Sequence, residues 1–154
     1  MSRGLAWEVI LERWHDAYRR DRRAVVLRCH PGVKMLAPPD KGGVFRAAFS
    51  GEGPPDFVGV VAGRGLVFDA KSTQAAKWPL AKLKDHQARD LSAWVANGGL
   101  AGLAVLIREQ AVWFDWSVVG AAWWAWRRGE GGAASWGAEM GKTFGDEGWI
   151  DVVG

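Results

Sequence analysis

The chain has 154 residues, 49% hydrophobic and 24% charged, enough apolar content for one globular domain with a real core. Its single cysteine excludes an intramolecular disulfide. No apolar run reaches the roughly 20 residues of a membrane helix, and Arg3, Glu8 and Glu12 break any signal-peptide core, which points to cytosolic conditions. The net charge of +3 is uneven: residues 1–50 carry ten basic against five acidic side chains, residues 51–128 nine against seven, and residues 129–154 one against five. A basic half suits a polyanion, and solubility explains it equally well.

Residues 3–20 read as a helix whose apolar stripe is Ala6, Val9, Ile10, Trp14 and Ala17, with Glu8, Glu12, His15 and Arg19 on the polar face. Ala24–Cys29 is a β-branched run and reads as a strand, with Cys29 as a small core residue. Gly32–Leu36 continues it after a turn at Pro31. Residues 37–54 hold three prolines and four glycines around one apolar island, Val44–Phe49. So long a connection is uncommon in a compact domain, and it reads as a protruding loop or hairpin.

Phe57–Ala62 and Leu66–Phe68 flank Gly63-Arg64-Gly65 and read as a β-hairpin. Three charges sit in it: Asp56, Asp69 and Lys71. A charge in an apolar hairpin is costly unless paired, and two acids with a lysine can satisfy one another around a divalent metal. A two-residue Gly63-Arg64 turn would set Val58 opposite Asp69 and Asp56 opposite Lys71, all three charges on one face. An odd-length turn would separate them unless a bulge compensated.

Pro79 opens a helix over residues 79–96 that carries Leu80, Leu83, His86, Gln87, Leu91 and Trp94 and stops at Asn97-Gly98-Gly99. His86 reads as a surface residue. Leu100–Arg108 is a strand buried on both faces, Ala111–Phe114 its partner, and a last helix runs from Ser117, as N-cap, to Arg128. Five of the eleven tryptophans fall between residues 113 and 126, among Ala and Val, where packing explains them better than base stacking. Residues 129–148 read as a loose tail, with Trp149–Val153 as a possible edge strand. Gly137–Gly141-Lys142-Thr143 mimics a phosphate loop but has three residues between its glycines where four are needed, so no nucleotide cofactor is expected.

Asp56, twelve intervening residues, then Asp69-Ala70-Lys71, with Pro55 in front, resembles the PD-(D/E)xK nuclease signature. The early helix with Glu8, the Pro/Gly-rich protrusion, the hairpin, Trp78-Pro79-Leu80, His86-Gln87 and the apolar strand after Gly98-Gly99 together resemble the RecU-type Holliday junction resolvases of bacteria and their phages, over about residues 3–115. The resemblance implies an α/β, restriction-endonuclease-like core: a mixed central β-sheet flanked by helices, with residues 35–54 as a stalk entering the junction. It also implies a homodimer working in the cytoplasm of a bacterium or an infected host. Each subunit would cut one of two opposed strands of four-way branched DNA with Mg²⁺, or Mn²⁺ in its place. The second acid is more often Glu in that family, and Pro54-Pro55 replace hydroxyl residues common there.

On this reading Asp56, Asp69 and the Ala70 carbonyl hold the metal, and Glu8 completes its shell through water. Lys71 positions the attacking water and offsets phosphate charge, and Gln87 orients a phosphate or a water. Lys34, Lys41, Arg46, Gln74, Lys77, Lys82 and Arg89 are the candidate DNA-phosphate contacts. Two other readings stay open: a PD-(D/E)xK nuclease of linear duplex, and a non-catalytic DNA-binding protein, for which Asp56→Asn would change nothing.

Overall fold

The computed structural model describes residues 2–153; Met1 and Gly154, the ends of the expected domain, lie outside the described residues. Helix α1 (Arg3–Arg20) starts where the Ser2 hydroxyl accepts the Leu5 N–H, an N-cap that satisfies one orphan donor of the first turn. Strand β1 (Ala24–Arg28) follows, then a two-stranded ribbon of β2 (Val33–Met35) and β3 (Ala47–Phe49). The protruding segment is therefore a hairpin, with Val33 paired to Phe49. Strands β4 (Phe57–Val61) and β5 (Arg64–Thr73) come next.

A short strand β6 (Trp78–Pro79) and a 3₁₀ turn (Leu80–Lys82) precede helix α2 (Asp85–Ala96). Pro79 thus ends a strand and does not open the helix, which starts after Lys84. Strands β7 (Leu100–Ile107) and β8 (Gln110–Asp115) lead into helix α3 (Trp116–Arg127). Asp115, not Ser117, caps α3: its Oδ1 accepts the Ser117 N–H at 2.9 Å. The remaining strands are β9 (Ser135–Trp136) and β10 (Lys142–Thr143).

One mixed sheet runs β1-β4-β5-β7-β8-β10, antiparallel at every pairing except β5–β7. The single parallel pairing requires a crossover, and α2 supplies it. Strand parity then divides two cores. On one face Phe57, Leu66, Phe68, Ala104 and Trp113 pack against Trp7, Leu11 and Tyr18 of α1. On the other, Val67, Leu103, Val105, Val112 and Phe114 pack against Leu91 of α2 and Val119 and Trp123 of α3. Two helical layers around one mixed sheet is the expected α/β architecture. Among the described residues, no helix is long and apolar enough to cross a membrane.

The buried stripe of α1 is Trp7, Leu11, His15 and Tyr18. That corrects the expected one: Ile10 is exposed, and His15 leaves the polar face for the core. The larger rings of Trp7 and Tyr18 decide which side of the helix turns inward. His15 is accommodated because its Nε2 accepts the Trp149 indole N–H at 3.0 Å. Burial lowers its pKa to about 4 and keeps it neutral.

Trp149 also corrects the expected loose tail. It is fully buried, with ring contacts to His15, Tyr18, Phe68 and Trp113. Tyr18 donates its hydroxyl proton to the Glu147 carbonyl at 2.6 Å, and Arg23 pairs with Glu147 and Asp151. The edge strand of this segment is β10, at Lys142–Thr143, and not residues 149–153. In the tryptophan cluster Trp113, Trp116 and Trp123 are buried in the two cores, while Trp124 and Trp126 pack half-buried against them.

Candidate active site

The turn between β4 and β5 is Ala62-Gly63, both with positive φ (49° and 76°), the backbone a tight two-residue hairpin requires. The expected turn was one residue later. Val58 therefore faces Val67, and Phe57 faces Phe68. Moving a two-residue turn by one position shifts the register by two, so side-chain parity is unchanged. Continuing the ladder by one step sets Asp56 opposite Asp69. Both point, with Lys71, to the face covered by α2.

The geometry ties the two acids together through the backbone. The Asp56 N–H donates to Asp69 Oδ1 at 3.2 Å, and the Ala70 N–H donates to Asp56 Oδ2 at 2.9 Å. A strand residue directs its N–H and C=O to the same edge, so the Ala70 carbonyl opens on the side where Asp56 lies. One further ladder step would set Pro55 opposite Ala70. Proline has no N–H to donate, so that carbonyl is spared a ladder bond.

Gln87, in the first turn of α2, joins the remaining groups. Its Oε1 accepts from Lys71 Nζ at 3.2 Å and from the Lys84 N–H at 3.1 Å, and its Nε2 reaches Asp69 Oδ1 at 3.5 Å. Asp56 and Gln87 line a cleft of about 590 Å³ with Cys29, Pro31, Gly51, Glu52, Gly53, Pro54, Lys84 and His86. Cys29 is thus half-buried on the cleft wall and not in the core, and its N–H donates to the Asp56 carbonyl at 2.7 Å. A larger groove of about 930 Å³ lies on the other side of Cys29 and Pro54, and neither acid lines it.

Asp69 is completely buried, and its Oδ2 has no hydrogen-bond partner among the described residues. Burial first, then the neighbouring Asp56 carboxylate, push its pKa up to about 7, against the opposing pull of Lys71. Such an oxygen is stable when protonated or when a cation meets it. The donor set fits a hard divalent ion: two carboxylates and a carbonyl, with room for water and phosphate oxygens. No group of three or more His, Cys, Asp or Glu side chains forms a metal cluster among the described residues.

Glu8 lies at the border of this site, bound to Arg28 of β1; Glu12 lies 3.6 Å from the same guanidinium. Its pKa is raised by burial, with Arg28 opposing and Asp56 adding to the rise. Sequence reading missed Arg28. The available signal was parity: Ala24, Val26 and Arg28 share one face of β1, so a charge at the third position faces inward. His86 is largely covered on the cleft wall, which corrects its surface reading.

The candidate DNA contacts lie apart from this network. Lys34, Lys41 and Arg46 stand exposed on the β2–β3 ribbon, and Gln74, Lys77 and Lys82 on the segment between β5 and α2. Arg89 is exposed on α2, 3.7 Å from Glu52.

Asp56 just before β4, Asp69 and Lys71 on β5 and Gln87 from the crossover helix thus meet on one face of a mixed sheet flanked by helices. The 1.6 Å structure of Hjc from Archaeoglobus fulgidus, a Holliday junction resolvase from an archaeal hyperthermophile, has this fold. It is 13% identical, with a TM-score of 0.52 over 91% of this chain and 95% of that one, a likeness of fold alone. No curated protein sequence matches. The profile of Recombination protein U matches residues 2–130, and the chain belongs to that family, the RecU-type Holliday junction resolvases.

Proposed function

We propose that this chain cleaves four-way DNA junctions at the Asp56–Asp69–Lys71 centre with a divalent metal, Mg²⁺ or Mn²⁺. The observation that carries the reading is the buried, partnerless Oδ2 of Asp69 beside a second carboxylate. Asp56, Asp69 and the Ala70 carbonyl would hold the ion. Bound there, it supplies Lewis-acid stabilisation of the charge that develops on the phosphate. Lys71, fixed by Gln87, orients the attacking water and offsets phosphate charge. Glu8 and Arg28 hold the wall of the site on the α1 side.

The β2–β3 ribbon is the stalk that enters the junction, with Lys34, Lys41 and Arg46 against phosphates. Two subunits would place two such centres on opposed strands. The uncovered apolar face of β1 and β4, with Val25, Leu27 and Val60 all about half exposed, supports pairing of two copies there.

The test is cleavage of an end-labelled four-way junction beside linear duplex of the same sequence, in Mg²⁺ and in EDTA. Paired symmetric nicks confined to the junction, lost in EDTA and in Asp69→Asn, are expected. Equal cutting of the duplex, or unchanged cutting by Asp69→Asn, would overturn the reading.

A further inference from the structure

We propose that His86 and Arg89 form a second phosphate subsite beside the catalytic centre, which the carboxylate of Glu52 occupies in the free protein. This rests on the nuclease reading above and adds a competitor for DNA that the chain itself carries. Glu52 lies on the loop from the ribbon to β4, between Gly51 and Gly53. Its Oε1 is 3.7 Å from His86 Nδ1 and its Oε2 is 3.7 Å from Arg89 Nη2. His86 and Arg89 are three residues apart on α2 and so share one face of the helix. Glu52 and His86 line the cleft that holds Asp56 and Gln87. The basic pair thus flanks Gln87, the side chain that anchors Lys71, with His86 one residue before it and Arg89 two after.

Nothing in the packing calls for an acid at position 52. Its side chain is 66% exposed, and its two contacts are at ion-pair distance, too long for hydrogen bonds. A solvated pair of this kind contributes little to stability. In a cleft that admits a polyanion, a carboxylate on the rim opposes the substrate unless it moves. Carboxylate and phosphodiester each offer two anionic oxygens that a guanidinium can bind, so the DNA backbone can replace Glu52 on Arg89 directly. Gly51, at φ +143°, and Gly53 leave the loop free to swing the displaced side chain into water. That loop follows the return limb of the ribbon, so the exchange also frees the base of the ribbon from its ion pairs to α2.

The experiment measures binding of a labelled synthetic four-way junction to full-length wild type, Glu52→Gln, Arg89→Ala and the double variant, in EDTA and across a salt series. Glu52→Gln is expected to tighten Kd about 3- to 10-fold at low salt. It should also steepen the dependence of log K on log salt by about one phosphate contact, roughly 0.9. In the Arg89→Ala background the same substitution should change nothing. An unchanged or weaker Kd for Glu52→Gln, or a gain that persists without Arg89, overturns the subsite. Cleavage by wild type in Mg²⁺ is scored separately. If Glu52→Gln binds more tightly yet no variant cuts, the nuclease reading falls and the subsite stands. If wild type cuts and Glu52→Gln shows no gain, the subsite alone falls. If no variant binds, both fall.

Discussion

Replacing Asp69 by asparagine is expected to stabilise the metal-free protein at neutral pH while it abolishes cleavage. Asp69 has a folded-state pKa of about 7 against an ordinary 3.8. The folded protein therefore keeps a proton that the unfolded chain releases. Stability from this group is complete below the unfolded value and is lost as pH rises from about 4 through 7. The full displacement corresponds to about 4 kcal/mol, of which roughly 2–3 kcal/mol falls between pH 5 and 8. For a domain of this size that is roughly 5–10 °C in Tm. Asparagine cannot ionise, and its volume matches the site. The assay is thermal unfolding in EDTA from pH 5 to 8, wild type against Asp69→Asn. Wild type should lose about that much Tm relative to the variant, and millimolar Mg²⁺ or Mn²⁺ should restore it in wild type alone. Parallel Tm curves, or a metal-induced rise in both proteins, would refute the argument that a buried, partnerless carboxylate is the cation's seat.

Three other substitutions probe features around that centre. Pro55→Ala returns an N–H opposite the Ala70 carbonyl, and calorimetric titration with Mn²⁺ should show affinity several-fold weaker while Tm stays within about 2 °C. His15 is held near pKa 4, below its ordinary 6.5, so its burial costs stability as pH falls from about 6.5 to 4; His15→Gln, which can still accept the Trp149 N–H, should flatten that loss in acid unfolding curves. Trp149→Ala removes a fully buried indole and should cost about 3–5 kcal/mol, read as a Tm drop of at least ~6 °C; a smaller drop would mean that the last turn does not close the core.

The clustering of Asp56, Asp69 and Lys71 was legible because its geometry is local. Asp56, Asp69 and Lys71 sit on one hairpin, and any two-residue turn keeps them on one face, so the reading survived a wrong turn position. The elements of α1, β4, β5, β7 and β8 likewise follow from runs of short-range pattern. Long-range partners were not legible. Arg28 meets Glu8 only because α1 packs across β1. Trp149 lies in a Gly-rich acidic stretch with no periodicity, and its pocket is assembled from α1, β4, β5 and β8. His15 reads as polar from its helix alone, and only Trp149, 134 residues later, explains its burial. Glu52 drew no reading from the sequence, because its partners His86 and Arg89 lie more than thirty residues away on α2.

The closing of the α1 core by Trp149 also bears on when the scaffold around Asp69 is completed during synthesis. The residues of the β4–β5 hairpin emerge before Trp149, and at ~5–20 residues per second the chain spends several seconds with the hairpin outside the ribosome and the residues around 149 still to come. Over that interval the inner face of β5 at Phe68 lacks its final cover, and the strand that carries Asp69 on its other face is not yet held rigid. A site whose scaffold is completed by a side chain some 80 positions further along the chain takes its final form only after that residue has been made.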